Sequence, residues 1–354
     1  MKFKLIVLSI LVVAISLLYL DSCQSPEVTS AKVYFQQNNI DAAEEQLLKA
    51  FQNEPSNPEV PFLLAVGVYI PRKDWISTKK YLLKANEINP AYVNPGTKTT
   101  AMEQLKQVWG EIHTEGANKF NAAIKAILPI EKDSLLKDAA RKFQLAIEIK
   151  DDEVQTYNGL IKCYTLMEDT VSVIEWAEKF KERGLFDDEV FVFYAQMLWG
   201  RGEKEKAIDE LQNILAKNPK SLKLQELRLQ FLAQSDRIEE AKEVGNKLII
   251  DNPDNVEIKY LMAQIFALMK DYETAQLYFN QVLIENPNDI EVLTRVAETA
   301  FRAQDWISTE DYSRKIIELD PEYAYGYTLL WKSLYNQGKK DEAEKYRAIE
   351  KSLQ

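Results

Sequence analysis

Beyond residue 24 the chain alternates apolar-periodic stretches with polar turns, and the turns recur at a fixed interval. Pro219, Pro253, Pro287 and Pro321 are evenly spaced, each after an Asn or Asp that closes an apolar stretch. The interval is about 34 residues, a length that marks one supersecondary unit repeated along the chain. Stepping back by the same interval gives Leu185 and Asp151, which hold the phase without the proline, while Pro55 and Pro90 end similar segments at nearly the same spacing. Twelve residues before these endpoints stand Ala43, Thr78, Ala139, Val173, Ala207, Ala241, Ala275, Thr309 and Ala343. Eight before them the position is often bulky, as at Leu47, Leu82, Phe143, Leu211 and Phe279. Near the start of the units large residues pair three apart: Tyr157 with Leu160, Leu293 with Val296, Tyr327 with Leu330. The pattern predicts two helices per unit. The small residue lets them approach closely, the bulky ones fill the space between units, and the proline stops the second helix because it lacks an N–H and disfavours helix in the residue before it.

One unit is irregular. The stretch from Pro90 to Asp151 is one period plus most of another. Asn94-Pro95-Gly96 marks a turn. A helix is expected over residues 99–127, ended by Leu128-Pro129, and a second over 133–150 with Ala139, Phe143 and Ala146 in phase. At 1.5 Å per residue the first would span about 43 Å. Both exceed their neighbours, so this pair is expected to project as a join or partner contact.

These positions resemble the tetratricopeptide repeat (TPR), in which each period is a pair of antiparallel helices. The resemblance covers nearly all of residues 24–354. It implies an all-α fold: a right-handed superhelical solenoid of about nine helix-turn-helix repeats, the third enlarged. The expected organisation is a signal peptide over 1–22, a lipidation site and two repeats over 23–90, the enlarged repeat over 91–151, and six regular repeats over 152–354. Thr78, Thr309 and Val173 depart from the family's tight Ala. The string Asp74-Trp75-Ile76-Ser77-Thr78 recurs as Asp305-Trp306-Ile307-Ser308-Thr309. Its Asp suits a helix N-cap, and its Trp suits packing over the inter-helix turn.

The N-terminus carries different information. Lys2 and Lys4 precede an uncharged apolar run from Leu5 to Leu20, which fits a signal-peptide core better than a membrane span of about 20 residues. Leu20-Asp21-Ser22-Cys23 resembles the lipobox of bacterial lipoproteins at Leu20, Ser22 and Cys23; Asp21 departs from it. The resemblance implies acylation of Cys23. Gln24, where an inner-membrane retention signal would have Asp, points to an outer-membrane lipoprotein facing the periplasm. An inner-membrane anchor or a soluble periplasmic chain are the alternatives.

Composition narrows the chemistry. The chain has 354 residues, 44 Lys+Arg against 55 Asp+Glu and a net charge of −11, which disfavours nucleic-acid binding because that needs a basic stripe. A single His and two Cys argue against histidine metal clusters and Ser-His-Asp chemistry. No catalytic residue, metal ligand or cofactor is therefore expected. Cys163, within Leu160-Ile161-Lys162-Cys163-Tyr164, reads as a buried, inert thiol. His113 and Trp109 share a helix face at i, i+4 and read as packing or surface residues.

In the family that the repeats resemble, the first helix of each unit lines a concave groove. Five residues after each leading position come Lys162, Gln196, Gln230, Gln264, Glu298 and Lys332. The glutamines Gln196, Gln230 and Gln264 form a ladder suited to main-chain amides or sugar hydroxyls. Three residues further come Thr165, Trp199, Ala233, Ala267, Phe301 and Tyr335. Trp199, Phe301 and Tyr335, with Tyr260 on an adjacent row, are expected to add apolar contact beside the ladder. The resulting expectation is a non-enzymatic scaffold that is membrane-tethered through Cys23 and holds a segment of another envelope protein. The alternative is a glycan or peptidoglycan binder using the same groove. Replacing Cys23 by Ala should release the chain from the outer-membrane fraction on cell fractionation; a variant that stays there with its signal normally cleaved would exclude the lipid anchor.

Overall fold

Proline placement, side-chain caps and one small buried position per unit set the helix boundaries and how closely the helices meet. In the computed structural model, which describes residues 25–235 and 237–353, every regular element is helical. The expected signal peptide, residues 1–22, and Cys23 lie outside the described residues. Among the described residues no helix is long and apolar enough to cross a membrane.

Nine helix pairs follow one another among the described residues. The first is α1 (Pro26–Gln36) with α2 (Ile40–Asn53). In the second, α3 (Glu59–Leu63) runs on into a π-helical turn, Leu64–Tyr69, and pairs with α4 (Trp75–Ile88). The enlarged pair is α5 (Ala101–Lys125) with α6 (Pro129–Ile149), followed by α7 (Val154–Leu166) with α8 (Thr170–Glu182). Then come α9 (Asp188–Gly200) with α10 (Lys204–Lys217), α11 (Leu222–Gln234) with α12 (Ile238–Asp251), and α13 (Val256–Leu268) with α14 (Tyr272–Glu285). The last two pairs are α15 (Ile290–Arg302) with α16 (Trp306–Leu319) and α17 (Ala324–Asn336) with α18 (Lys340–Leu353). This is an all-α helical-repeat solenoid of TPR type.

The helices group into two compact units, one up to Phe186 and one from Asp187 onward. Within the first unit α5 packs on α6, α6 on α7 and α7 on α8. Within the second, each helix from α10 to α18 meets its predecessor, and the first helices of successive repeats also touch, α9 with α11 and α11 with α13. Core formation is thus shared between neighbours, as a quasi-one-dimensional stack requires.

The repeat phase is physically explained at each position. Ala43, Thr78, Ala139, Val173, Ala207, Ala241, Ala275, Thr309 and Ala343 all lie on the second helix of a pair and are all 0–2% exposed. Thr78 and Thr309 fit there because their hydroxyls are satisfied, donating to the carbonyl of Asp74 at 2.8 Å and of Asp305 at 2.7 Å. Leu47, Leu82, Phe143, Leu211 and Phe279 are buried as well. Where that position is Gly245 instead, the Met262 sulfur occupies the space in which a Cβ would stand, so the neighbouring first helix supplies the missing volume. Second helices begin on caps: the carboxylates of Asp74, Asp169, Asp271 and Asp305 accept from backbone N–H groups three residues on, at 3.0–3.2 Å. Just before these caps the backbone is left-handed, at Lys73, Glu168, Lys270 and Gln304, with Gly202 and Gly338 in the same phase. The chain tolerates this conformation in non-glycine residues, so the turns keep the period with few glycines.

Two expectations need correction. Leu128-Pro129 does not close the first long helix, and the second does not start near residue 133. Helix α5 ends at Lys125, and Pro129 is the first residue of α6. A proline there loses no hydrogen bond, since the first-turn N–H groups have no partner anyway. The second repeat also contains a π-helical turn that the periodicity does not announce. The Phe35 ring fills the space where a Cβ on Gly67 would stand, so only glycine admits the ring at this turn.

The enlarged pair is tied to the following repeat through buried polar contacts. Trp109 Nε1 donates to Thr156 Oγ1 at 3.1 Å, and His113 Nδ1 lies 3.1 Å from the same hydroxyl. The His113 ring stacks on Trp109 with centroids 5.2 Å apart and meets Phe143 at 5.4 Å. Burial lowers the His113 pKa below its ordinary value, against an opposing pull from Glu153. Cys163 is fully buried, and burial pushes its thiol up to about 12, consistent with an inert side chain.

Two outcomes follow. Ala275→Leu should destabilise the chain by about 1–3 kcal/mol through overpacking, while Leu277→Ala on the exposed face should stay within about 0.5 kcal/mol; urea midpoints read both. Because folding depresses the His113 pKa, the unfolded chain takes up its proton first, and stability is lost as pH falls below the ordinary value of about 6.5. The urea midpoint should therefore drop between about pH 7.5 and about pH 5.5, and drop less in His113→Gln.

Candidate functional site

A groove of about 650 Å³ opens in the second unit among the first helices of four successive repeats. Helix α9 contributes Val192 and Gln196, and α11 contributes Glu226, Leu227, Gln230 and Gln234. Helix α13 contributes Val256, Glu257, Tyr260, Leu261 and Gln264, while α15 brings Glu291 and Val292 behind its cap Asp289. The spacings within α11 and α13 are three and four residues, which aligns those side chains on one helix face. The repeat period then brings equivalent faces side by side.

The glutamine ladder falls in this groove. Gln196 and Gln230 are exposed and Gln264 is half-buried, and all three line the same space. Tyr260 joins them. Its hydroxyl donates to Glu291 Oε1 at 2.9 Å, and its ring meets Phe279 edge-on at 5.8 Å.

The other expected aromatics lie elsewhere. Trp199 stacks on Phe231 of the next first helix, centroids 4.1 Å apart, with Lys204 Nζ 5.0 Å from its ring. Phe301 packs edge-on against Trp306 at 5.2 Å, over the turn into α16. Three residues beyond the ladder position is a rotation of about 60° round the helix, which turns these rings out of the groove and into contacts with neighbouring helices. Tyr335 is 51% exposed on α17, with Lys340 Nζ 5.8 Å from its ring, and does not line the groove.

Sequence reading missed the groove's charge. Glu226, Glu257, Asp289 and Glu291 line it, with Lys223 as their counterweight. The signal was available, because Glu257 and Glu291 stand one repeat apart on adjacent first helices. Burial pushes the Glu226 carboxyl up and nearby Glu257 adds to this, while the Asn255 amide, donating at 2.9 Å, opposes it. A smaller hollow of about 240 Å³ shares Gln264 and continues past Leu268 to Arg295, Glu298 and Arg302. There Arg295 pairs with Glu298 at 3.1 Å, and the Tyr325 hydroxyl donates to Glu298 at 2.9 Å. The main groove offers side-chain amides for main-chain hydrogen bonds, an apolar floor at Leu227, Leu261 and Val292, and a carboxylate rim. Among the described residues no group of three or more His, Cys, Asp or Glu is arranged to hold a metal ion.

Comparison with known proteins yields a family. The family model ChAPs, described as Chs5p-Arf1p-binding proteins, matches residues 117–308, more than half of the chain. No curated protein matches. A tetratricopeptide repeat protein from Parabacteroides merdae ATCC 43184 shares 17% identity at a TM-score of 0.49, over 70% of this chain and 93% of that one. MamA from Desulfovibrio magneticus RS-1 shares 16% identity at a TM-score of 0.44, over 47% of this chain and 94% of that one.

Proposed function

The chain belongs to the ChAPs family, the Chs5p-Arf1p-binding proteins, and on that premise we propose that it is a non-enzymatic scaffold holding a segment of a protein partner in the groove of the second unit. The observation that carries this reading is the ladder Gln196, Gln230 and Gln264, one amide per successive first helix, in one groove. Amides at that regular interval match the donors and acceptors of an extended main chain. Leu227, Leu261 and Val292 on the floor offer apolar contact for the segment's side chains. The family name refers to binding other proteins, and only that class of activity is carried over, not its two named partners. A glycan ligand has less support, because Trp199 and Phe301 already use their rings in internal packing. We further propose that the scaffold is tethered in a bacterial cell envelope through Cys23, at the outer membrane and facing the periplasm, on the strength of Leu20-Asp21-Ser22-Cys23 behind its apolar run.

A photo-crosslinking residue at position 230, in the groove, should capture one protein partner in native membranes. The same residue at position 277, on the exposed face of α14, should not. Gln196→Arg with Gln264→Arg should lower that capture about tenfold or more, the loss expected when central interface groups are replaced. Equal capture from both positions, or capture indifferent to the arginines, would refute the groove as the docking site.

A further inference from the structure

The α5–α6 hairpin ends in a surface that the groove does not explain. The last buried residue of α5 is Ala123 and the first of α6 is Leu136, and none of the residues between them is buried. This connection is apolar all the same. Ile127 is 94% exposed, Ile130 87%, Leu128 65% and Ile124 54%. Four aliphatic side chains at one hairpin end form a convex knob with no counterpart in the described residues. Their charge surroundings are basic. Residues 119–137 hold four lysines against two carboxylates, in a chain whose net charge is −11. Of the two carboxylates, Asp133 is taken by Lys137 at 2.7 Å, and Glu131 sits in the first turn of α6, where the helix N-terminus offsets its charge. Glu115, further down α5, pairs with Lys142 at 2.5 Å. Lys125 and Lys132, flanking the knob on either side, are left without an ion pair among the described residues.

We propose that this tip inserts into an anionic lipid surface, Ile127, Leu128 and Ile130 entering the headgroup–acyl boundary and Lys125 and Lys132 meeting the lipid phosphates. The shape and the chemistry both favour lipid over protein. A convex aliphatic knob needs no complementary pocket in a bilayer, and interfacial apolar residues reach about 5–10 Å into it. Protein hot spots are enriched in Trp, Tyr and Arg, and the tip from Ile124 to Lys132 has none of them. Unpaired lysines above an anionic leaflet complete the match. This site is separate from the groove and does not rest on what the groove binds.

The test sediments the full chain with vesicles of phosphatidylcholine, with or without phosphatidylglycerol. Binding should be stronger to the anionic vesicles. Ile127→Ser with Ile130→Ser should lower the partition about tenfold per side chain, and Lys125→Glu with Lys132→Glu should lower it at least about fivefold per residue, on anionic vesicles only. Any binding through the run Leu5 to Leu20 is common to all these chains, so the differences read the tip. The indole introduced by Ile130→Trp should be quenched by lipids brominated along the acyl chain. Unchanged binding of the serine variant, or an unquenched indole, would overturn the proposal. So would loss of self-association by the serine variant with vesicle binding intact, which would make the tip a protein contact.

Discussion

Close approach of the two helices within each repeat is the constraint on which the rest of the molecule depends. One position per unit, on the second helix, must be no larger than a β-branched threonine or valine, and it is buried in all nine pairs. A larger side chain there would hold the helices apart, and the bulky residues one turn on would no longer fill the gap to the next unit. Since each repeat buries its core only against its neighbours, an error at one such position propagates to two interfaces. The threonines show how narrow the requirement is. Each gives its hydroxyl proton to the carbonyl of the capping aspartate, so a polar atom is accommodated at zero exposure.

The groove is a consequence of that stacking. Regular second helices hold the first helices at a regular interval, so one residue type repeated once per unit becomes a row in space. Gln196, Gln230 and Gln264 are such a row, and Glu257 with Glu291 is another. Rotation about the helix axis decides which rows face the opening. The ladder position faces it, whereas three residues further on Trp199 and Phe301 meet other aromatic rings.

The enlarged third pair breaks the regularity at one place and keeps it at another. Its base retains the phase: Ala139 and Phe143 are buried, and Trp109 and His113 meet Thr156 of the next repeat. Its far end follows no repeat constraint, and there the chain leaves aliphatic residues and unpaired lysines in solvent. Inward-facing residues keep the stack continuous through the insertion, and outward-facing ones make a separate surface.

The period alone determined the number of helix pairs, the buried small positions and the prolines that follow second helices, because those features depend on contacts repeated identically in every unit. It also brought Gln196, Gln230 and Gln264 into register in the groove, with Tyr260 beside them from the neighbouring row. Tertiary structure alone decided the rest, because those features depend on contacts peculiar to one unit. Pro129 begins a helix because its missing N–H falls in the first turn, where no hydrogen bond is lost. Gly67 admits no larger side chain because Phe35, from the preceding repeat, occupies the space where a Cβ would stand. Trp199 belongs to an interhelical stack because Phe231 presents a ring face to it. The acidic character of the groove depends on which carboxylates from separate helices converge, and a one-dimensional pattern records their spacing without recording where they meet.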